Sequence, residues 1–232
     1  MLQLRPLETL GGANRDWLRA KHHFAVNGEG NPAHRPLGSL VVWNDDEIAP
    51  HSGFPMHAHR DLEIVTYVRE GVLHHEDSLA GRSEIRARHV QAITAGRGVQ
   101  HSEHNETNEY LRIFQIWLLP RRRGLDPSWA TKSVPDVQCG SRFVPIASGF
   151  SKDRDALWIE ADARVLAATA DQGQSLVYGL TAARHGYLVP ARGEVMVNDV
   201  HVRERDGIAI TAEPAITVTA LERTEIILVD TA

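Results

Sequence analysis

The chain has 232 residues, 42% hydrophobic and 24% charged, with a formal net charge of −5. Such a chain can bury a substantial core in one or two domains, and its acidic balance argues against a nucleic-acid binder that works by neutralising phosphates. The single cysteine, Cys139, excludes an intrachain disulfide or thiolate zinc site, no apolar run approaches a membrane span, and MLQLRPLETLGGANRDW has neither signal-peptide nor transit character, so a cytoplasmic protein is expected.

In chain order, Met1 to Leu10 reads as a short strand and turn ending in Gly11-Gly12, and Asn14 to Lys21 is assigned one helical turn. Asn27 to Gly38, NGEGNPAHRPLG, is loop chemistry and a candidate pocket rim. Leu40-Val41-Val42-Trp43 forms a compact strand closed by Asn44-Asp45-Asp46. Phe54 to Gly71, FPMHAHRDLEIVTYVREG, is then answered by Ala95 to Asn105, AGRGVQHSEHN. Residues two apart in a strand share a face, so His57 and His59 project together, as do His101 and Glu103. Two such strands side by side or opposite in a barrel bring three imidazoles and one carboxylate to a point. That set suits one divalent transition metal, with Fe, Mn, Co, Ni, Cu and Zn all admissible. One His pair alone is more often wet strand surface. The second pair, following a Gly-x-Gly turn, decides for metal, because each pair abuts an apolar strand.

His74, His75 and His89 are read as surface or supporting residues, since adjacent histidines in a strand face opposite ways. Arg121-Arg122-Arg123, the one basic cluster, reads as a solvated loop. Between Pro120 and Phe150, Pro and Gly recur without a sustained period, so this stretch is read as a connection pinned by Trp129. Short strands return from Trp158 onward, with a hairpin turn at Asn198-Asp199, and the whole is expected to be all-β. The expected organisation is an N-terminal metal-binding domain at 1–130, a linker at 131–150 and a C-terminal domain at 151–232.

Gly53-x3-His57-x-His59-x3-Glu63 with Gly71 resembles the first cupin motif, and Gly98-x2-His101-x3-Asn105 resembles the second. Gly96 where cupins usually carry Pro, and Glu103 two residues after the motif histidine, depart from the general pattern in the way the pirin family does. HAHRDLEIVTYVREG, AGRGVQHSEHNE, the segment Trp17 to Phe24 and Trp43-Asn44-Asp45-Asp46 are similar to that family, so the resemblance covers the first half continuously. It implies a bicupin of two double-stranded β-helix (jelly-roll) barrels, with metal in the N-terminal barrel only. His57, His59, His101 and Glu103 would be the ligands, Glu63 would not, and Fe(II) is favoured. The second half echoes the first: Ala92-Ile93-Thr94-Ala95 recurs as Ala209-Ile210-Thr211-Ala212. In that register Val218 and Ala220 stand opposite His101 and Glu103, Gly179 and Thr181 opposite His57 and His59, and His185 opposite Glu63.

Bacterial pirin-like proteins are associated with quercetin 2,3-dioxygenase activity. The resemblance therefore implies a small aromatic, flavonol-like substrate opened by O₂ with release of carbon monoxide. Glu103 would take the proton of a flavonol hydroxyl made acidic by the metal. Phe24, Trp43, Phe54, Phe114 and Trp117 are candidates for an apolar slot, and Arg60 and Asp61 for orienting the ligand pair through hydrogen bonds. The competing reading is a metal- or redox-sensing regulator that binds a protein partner; a plain small-molecule-binding or isomerase cupin ranks third. A closed apolar cavity above the metal favours the enzyme, and an open metal beside a flat patch favours the regulator. A monomer is expected, without direct contact to nucleic acid or membrane.

Overall fold

A computed structural model of the chain describes residues 1–26, 28–134, 142–181 and 183–232. Cys139 lies outside the described residues. Among them the regular secondary structure is strand apart from one 3-10 turn at Leu7–Thr9, and no helix is long and apolar enough to cross a membrane.

Two barrels follow one another. In the N-terminal one, a six-stranded sheet runs in spatial order Ser128–Ser133, His89–Thr94, Glu63–Glu70, Leu111–Leu118, Leu40–Ile48, Leu18–His22. It packs against a four-stranded sheet of Ser52–His59, Val99–Asn105, Val72–Asp77 and Arg82–Arg86. In the C-terminal barrel a seven-stranded sheet, which includes His185–Arg192, Thr224–Thr231 and Ala163–Ala170, packs against Ser175–Gly179, Ala215–Ala220, Val195–Val197 and Val200–Val202. The two-barrel, all-β expectation is met.

The large sheets stack back to back. Trp43, Tyr67, Phe114 and Ile116 from the first barrel share one core with Tyr187, Val189, Ile227 and Val229 from the second. Both faces of these sheets are therefore dry, which explains why Ile64-Val65-Thr66-Tyr67-Val68 is buried throughout instead of alternating. Polar ties cross the same interface. Asp45, fully buried, accepts from Arg69 at 2.6 Å and from Arg205 at 2.5 Å, while Glu63 Oε2 accepts the Glu160 backbone N–H at 3.0 Å.

Several local expectations change. Asn14 to Lys21 contains no helical turn; Leu18–His22 is a strand, because Leu18, Ala20 and His22 alternate inward with Arg19 and Lys21 outward, a period of two. Leu2–Arg5 is a strand, but it pairs with Gly207–Thr211 of the C-terminal sheet. The stretch between Pro120 and Phe150 is not free of regular structure: Ser128–Ser133 pairs with His89–Thr94, and Val144–Ser148 pairs with Ala163–Ala170. Ser128–Ser133 is an edge strand that makes half of its ladder only, and Val144–Ser148 has just the two-residue strand Leu157–Trp158 on its other side, so a weak sequence pattern suffices there.

Candidate metal centre

Pleating sorts the strand Leu111–Leu118 into two faces. Phe114, Ile116 and Leu118 join the core between the barrels, whereas Leu111, Ile113 and Trp117 contribute to clusters inside the first barrel. Gln115 lies on that inner face, between an apolar cluster holding Ile48, Val68 and Ile113 and another holding Ile64, Ile93 and Val99. The same layer is polar across the whole sheet. His22 pairs with Asn44, Asn44 with Gln115, Gln115 with Thr66 and Thr66 with Gln91, so five polar residues form one inward rung over five adjacent strands.

The four-stranded sheet carries the residues expected as ligands. His57 pairs directly with His101 on the neighbouring strand, and Glu103 follows two residues later on the same face. A register irregularity between Phe54 and His57 aims the first pair at the second. Gly53 permits the close approach: a Cβ there would lie 2.2 Å from the Glu103 carbonyl oxygen. Gly96 sits at φ +47°, which a proline cannot adopt, so its departure from the general cupin pattern has a backbone cause.

The ring nitrogens of His57, His59 and His101 lie within 4.8 Å of one another. His57 Nδ1 stands 2.8 Å from the Pro55 carbonyl, which fixes its proton there and leaves Nε2 free as a donor atom. Burial, followed by the neighbouring imidazoles, lowers the His59 pKa to about 4 and that of His101 to about 3. Both rings are thus neutral near pH 7, with their lone pairs intact. Glu103, 1% exposed, accepts from Gln115 Nε2 at 2.7 Å through Oε2, and Trp117 Nε1 donates to Gln115 Oε1 at 3.0 Å.

These residues fit a cation. His59 Nε2, both nitrogens of His101 and Glu103 Oε1 are buried without a hydrogen-bond partner. Three unpaired imidazole nitrogens and an unpaired carboxylate oxygen, all buried, are costly unless a positive ion satisfies them.

Above them lies a cavity of about 220 Å³, lined by His57, His59, Glu103, Gln115, Phe54 and Trp117 on the metal side and by residues of the 13–29 segment and Asn44 and Asp46 on the other. Of the aromatic candidates, Phe54 and Trp117 line it, while Phe24, Trp43 and Phe114 belong to the core between the barrels. Glu29 makes the expected loop contribution to the rim, joined by Val26 just before that loop. Arg60 is exposed and Asp61 Oδ1 caps the Gly124 N–H at 2.8 Å, so this pair shapes a loop and does not orient the ligands. Arg121 and Arg122 are engaged rather than simply solvated, by Gly149 and Glu160.

Gln115 and Asp46 were not anticipated as site residues. Gln115 had a signal, because it is the polar break at an inward position of LRIFQIWL. Asp46 lies in the cavity wall, 1% exposed, and burial together with Asp45 and Glu103 raises its pKa well above the carboxylate range.

In the second barrel, Val218 and Ala220 are packed into an apolar core. Val218 pairs with Leu176, whereas His101 pairs with His57, so the sequence register that set Gly179 opposite His57 is three residues off on that strand. His201 is occupied by Glu194 at 2.6 Å. Among the described residues, the three histidines of the first barrel are the one group with metal-binding spacing.

Comparison with known proteins gives matches along both barrels. The Pirin family model matches residues 4–118, and the model described as quercetinase C-terminal cupin domain matches residues 146–231. A Pirin-like protein of Caulobacter vibrioides is 49% identical over the full length of both chains. A quercetin 2,3-dioxygenase of Escherichia coli K12 is 32% identical over 99% of this chain and 98% of its own. The crystal structure of the bacterial pirin YhhW of Escherichia coli in complex with nickel(II) superposes with a TM-score of 0.92 at 32% identity, covering 100% of this chain and 99% of that one.

Proposed function

The chain belongs to the pirin family, and from that membership we propose that it is a metal-dependent dioxygenase that opens a flavonol-type ring with O₂ and releases carbon monoxide. The observation that carries this reading is the set of buried, unpartnered donor atoms of His59, His101 and Glu103, beside His57, with His57, His59 and Glu103 lining a cavity that Phe54 and Trp117 also line. His57, His59, His101 and Glu103 would hold one divalent transition metal, Fe(II) being the favoured ion and the nickel(II) complex of the relative a sign that the site type admits others. Bound there, such an ion acidifies a ligating hydroxyl and supplies redox chemistry toward O₂.

The protein groups have definable tasks. Phe54 and Trp117 offer apolar surface to a planar ring. The Gln115 amide clamps Glu103 Oε2 and leaves Oε1 as the oxygen that would face the metal and would take the substrate hydroxyl proton either as ligand or after loosening. Trp117 in turn fixes the Gln115 amide, so the wall that orients the ring also orients the base. The apolar clusters on either side of the polar layer close its flanks inside the barrel.

Aerobic turnover of quercetin by protein reconstituted anaerobically with Fe(II), Mn(II), Ni(II) or Cu(II), followed by substrate absorbance and carbon monoxide, tests the reading. Metal-dependent carbon monoxide release that disappears in Glu103→Ala supports it. No release with any metal at full occupancy turns the assignment to a metal- or redox-sensing protein acting on a protein partner.

A further inference from the structure

Next to the strand that carries His101 and Glu103, the strand Val72–Asp77 places two more polar residues on the inner face of the four-stranded sheet. On the strand Val72–Asp77, His75 and Asp77 alternate inward, with 3% and 5% of their surface exposed. The antiparallel register sets His75 beside Glu103 and Asp77 beside His101, so this pair forms the next column behind the ligands, on the side away from His57. His74, the neighbouring histidine, turns outward to Glu84 and Glu106.

Hydrogen bonding fixes the protonation pattern of this column. Asp77 Oδ2 lies 3.1 Å from His75 Nε2, so the ring proton of His75 is on Nε2. Asp77 Oδ1 is anchored in turn by the backbone N–H groups of Leu79 and Gly81 at 2.7 and 3.0 Å. Trp129 packs on the His75 ring, with centroids 5.3 Å apart. His75 Nδ1 is consequently left as a buried lone pair without a partner. Its ring centroid is 5.4 Å from that of His101, whose two nitrogens are also buried and unpartnered. If one nitrogen of His101 holds a metal, the other must carry a proton and needs an acceptor.

We propose that His75 is that acceptor, directly or through one buried water, and that Asp77–His75–His101 is a hydrogen-bonded relay that orients His101 and strengthens it as a metal ligand. The inference rests on the metal reading above. His75 and Asp77 are positioning residues in it; neither touches substrate. The carboxylate polarises the His75 ring, the ring accepts the His101 N–H, and His101 gains electron density at its metal-facing nitrogen. The relay also explains why a carboxylate and an imidazole are buried behind a site that already has four donors.

Two substitutions separate this role from a purely structural one. His75→Phe keeps a ring against Trp129 and removes the acceptor. Asp77→Asn keeps an oxygen for the Leu79 and Gly81 N–H groups but presents an NH₂ to His75 Nε2, which forces the ring proton onto Nδ1 and turns the acceptor into a donor. Both are expected to weaken Ni(II) binding by about ten- to a hundredfold in competition with a coloured chelator, while metal-free thermal unfolding of Asp77→Asn stays near wild type. His75→Gln, which can still accept, should recover part of the loss. In Cu(II)-loaded protein, pulsed EPR of the remote imidazole nitrogens should show the quadrupole coupling of one histidine rise in both variants. Wild-type affinity and wild-type nitrogen couplings in Asp77→Asn would overturn the relay, as would a loss of affinity with no change in the couplings. Should His75→Phe fail to fold, Asp77→Asn decides alone. Failure of the metal reading has a different signature: His57→Ala would then bind Ni(II) as well as wild type does.

Discussion

Glu63 offers the sharpest quantitative test of how the two barrels are joined. Its carboxyl is fully buried at the junction, with Oε2 held by Thr94 at 2.8 Å and by the Glu160 N–H at 3.0 Å, while Oε1 has no partner. Burial is the largest influence and outweighs those two hydrogen bonds, raising the pKa from 4.5 to about 7. The folded state therefore holds a proton that the unfolded chain releases near pH 4.5. Stability is intact below that pH and declines as the pH rises toward about 7, beyond which it levels. The displacement corresponds to about 3 kcal/mol, at about 1.4 kcal/mol per pH unit, most of it between pH 5 and 8. Glu63→Gln keeps an acceptor for Thr94 and Glu160 and removes the titration. Guanidinium unfolding of metal-free protein at pH 5 and pH 8 should show the variant gaining about 2 to 3 kcal/mol on wild type between the two conditions. Glu225, which burial also raises to about 7, contributes the same slope to both proteins and cancels in the comparison. Parallel pH profiles for wild type and Glu63→Gln would refute the reasoning.

Further outcomes follow from the same geometry. His57→Ala and Glu103→Ala should each lose most bound metal by elemental analysis; near-stoichiometric retention in both would remove the proposed centre. His185→Ala and His201→Ala should leave metal content unchanged, since the second barrel packs Val218 and Ala220 where a ligand pair would be needed. Gln115→Leu frees Glu103 Oε2 and should reduce turnover more than it reduces substrate binding, so an unchanged kcat would show that the clamp on the base is idle. Asp45→Ala strands the buried Arg69 guanidinium and should destabilise the protein by about 3 to 5 kcal/mol in denaturant; a loss under about 1 kcal/mol would mean that Arg69 reaches water.

The grouping of candidate donors on one face was legible because it depends on a local rule. Side chains alternate along any strand, so His57 with His59 and His101 with Glu103 share faces whatever the rest of the chain does. The family resemblance carried by the motifs, together with the echo at Ala209-Ile210-Thr211-Ala212, likewise implied two barrels. Where sequence reasoning failed, the deciding interaction was remote. Leu2–Arg5 carries nothing that says it pairs with residues 207–211. Trp43 and Phe114 look like pocket aromatics until the second barrel is seen to cover them.

By itself, the sequence determined the strand-rich class, the inward pairs of donors and the glycines that let the backbone close around them. Only the tertiary structure decided which polar residues stand behind those donors. Gln115 lies on a different sheet from Glu103, and the His75 that faces inward is told from the His74 that faces out only by knowing which side of its strand is core. Alternation specifies two faces but not which of them is buried; that choice is made by packing one sheet on another, through contacts between residues far apart in the chain.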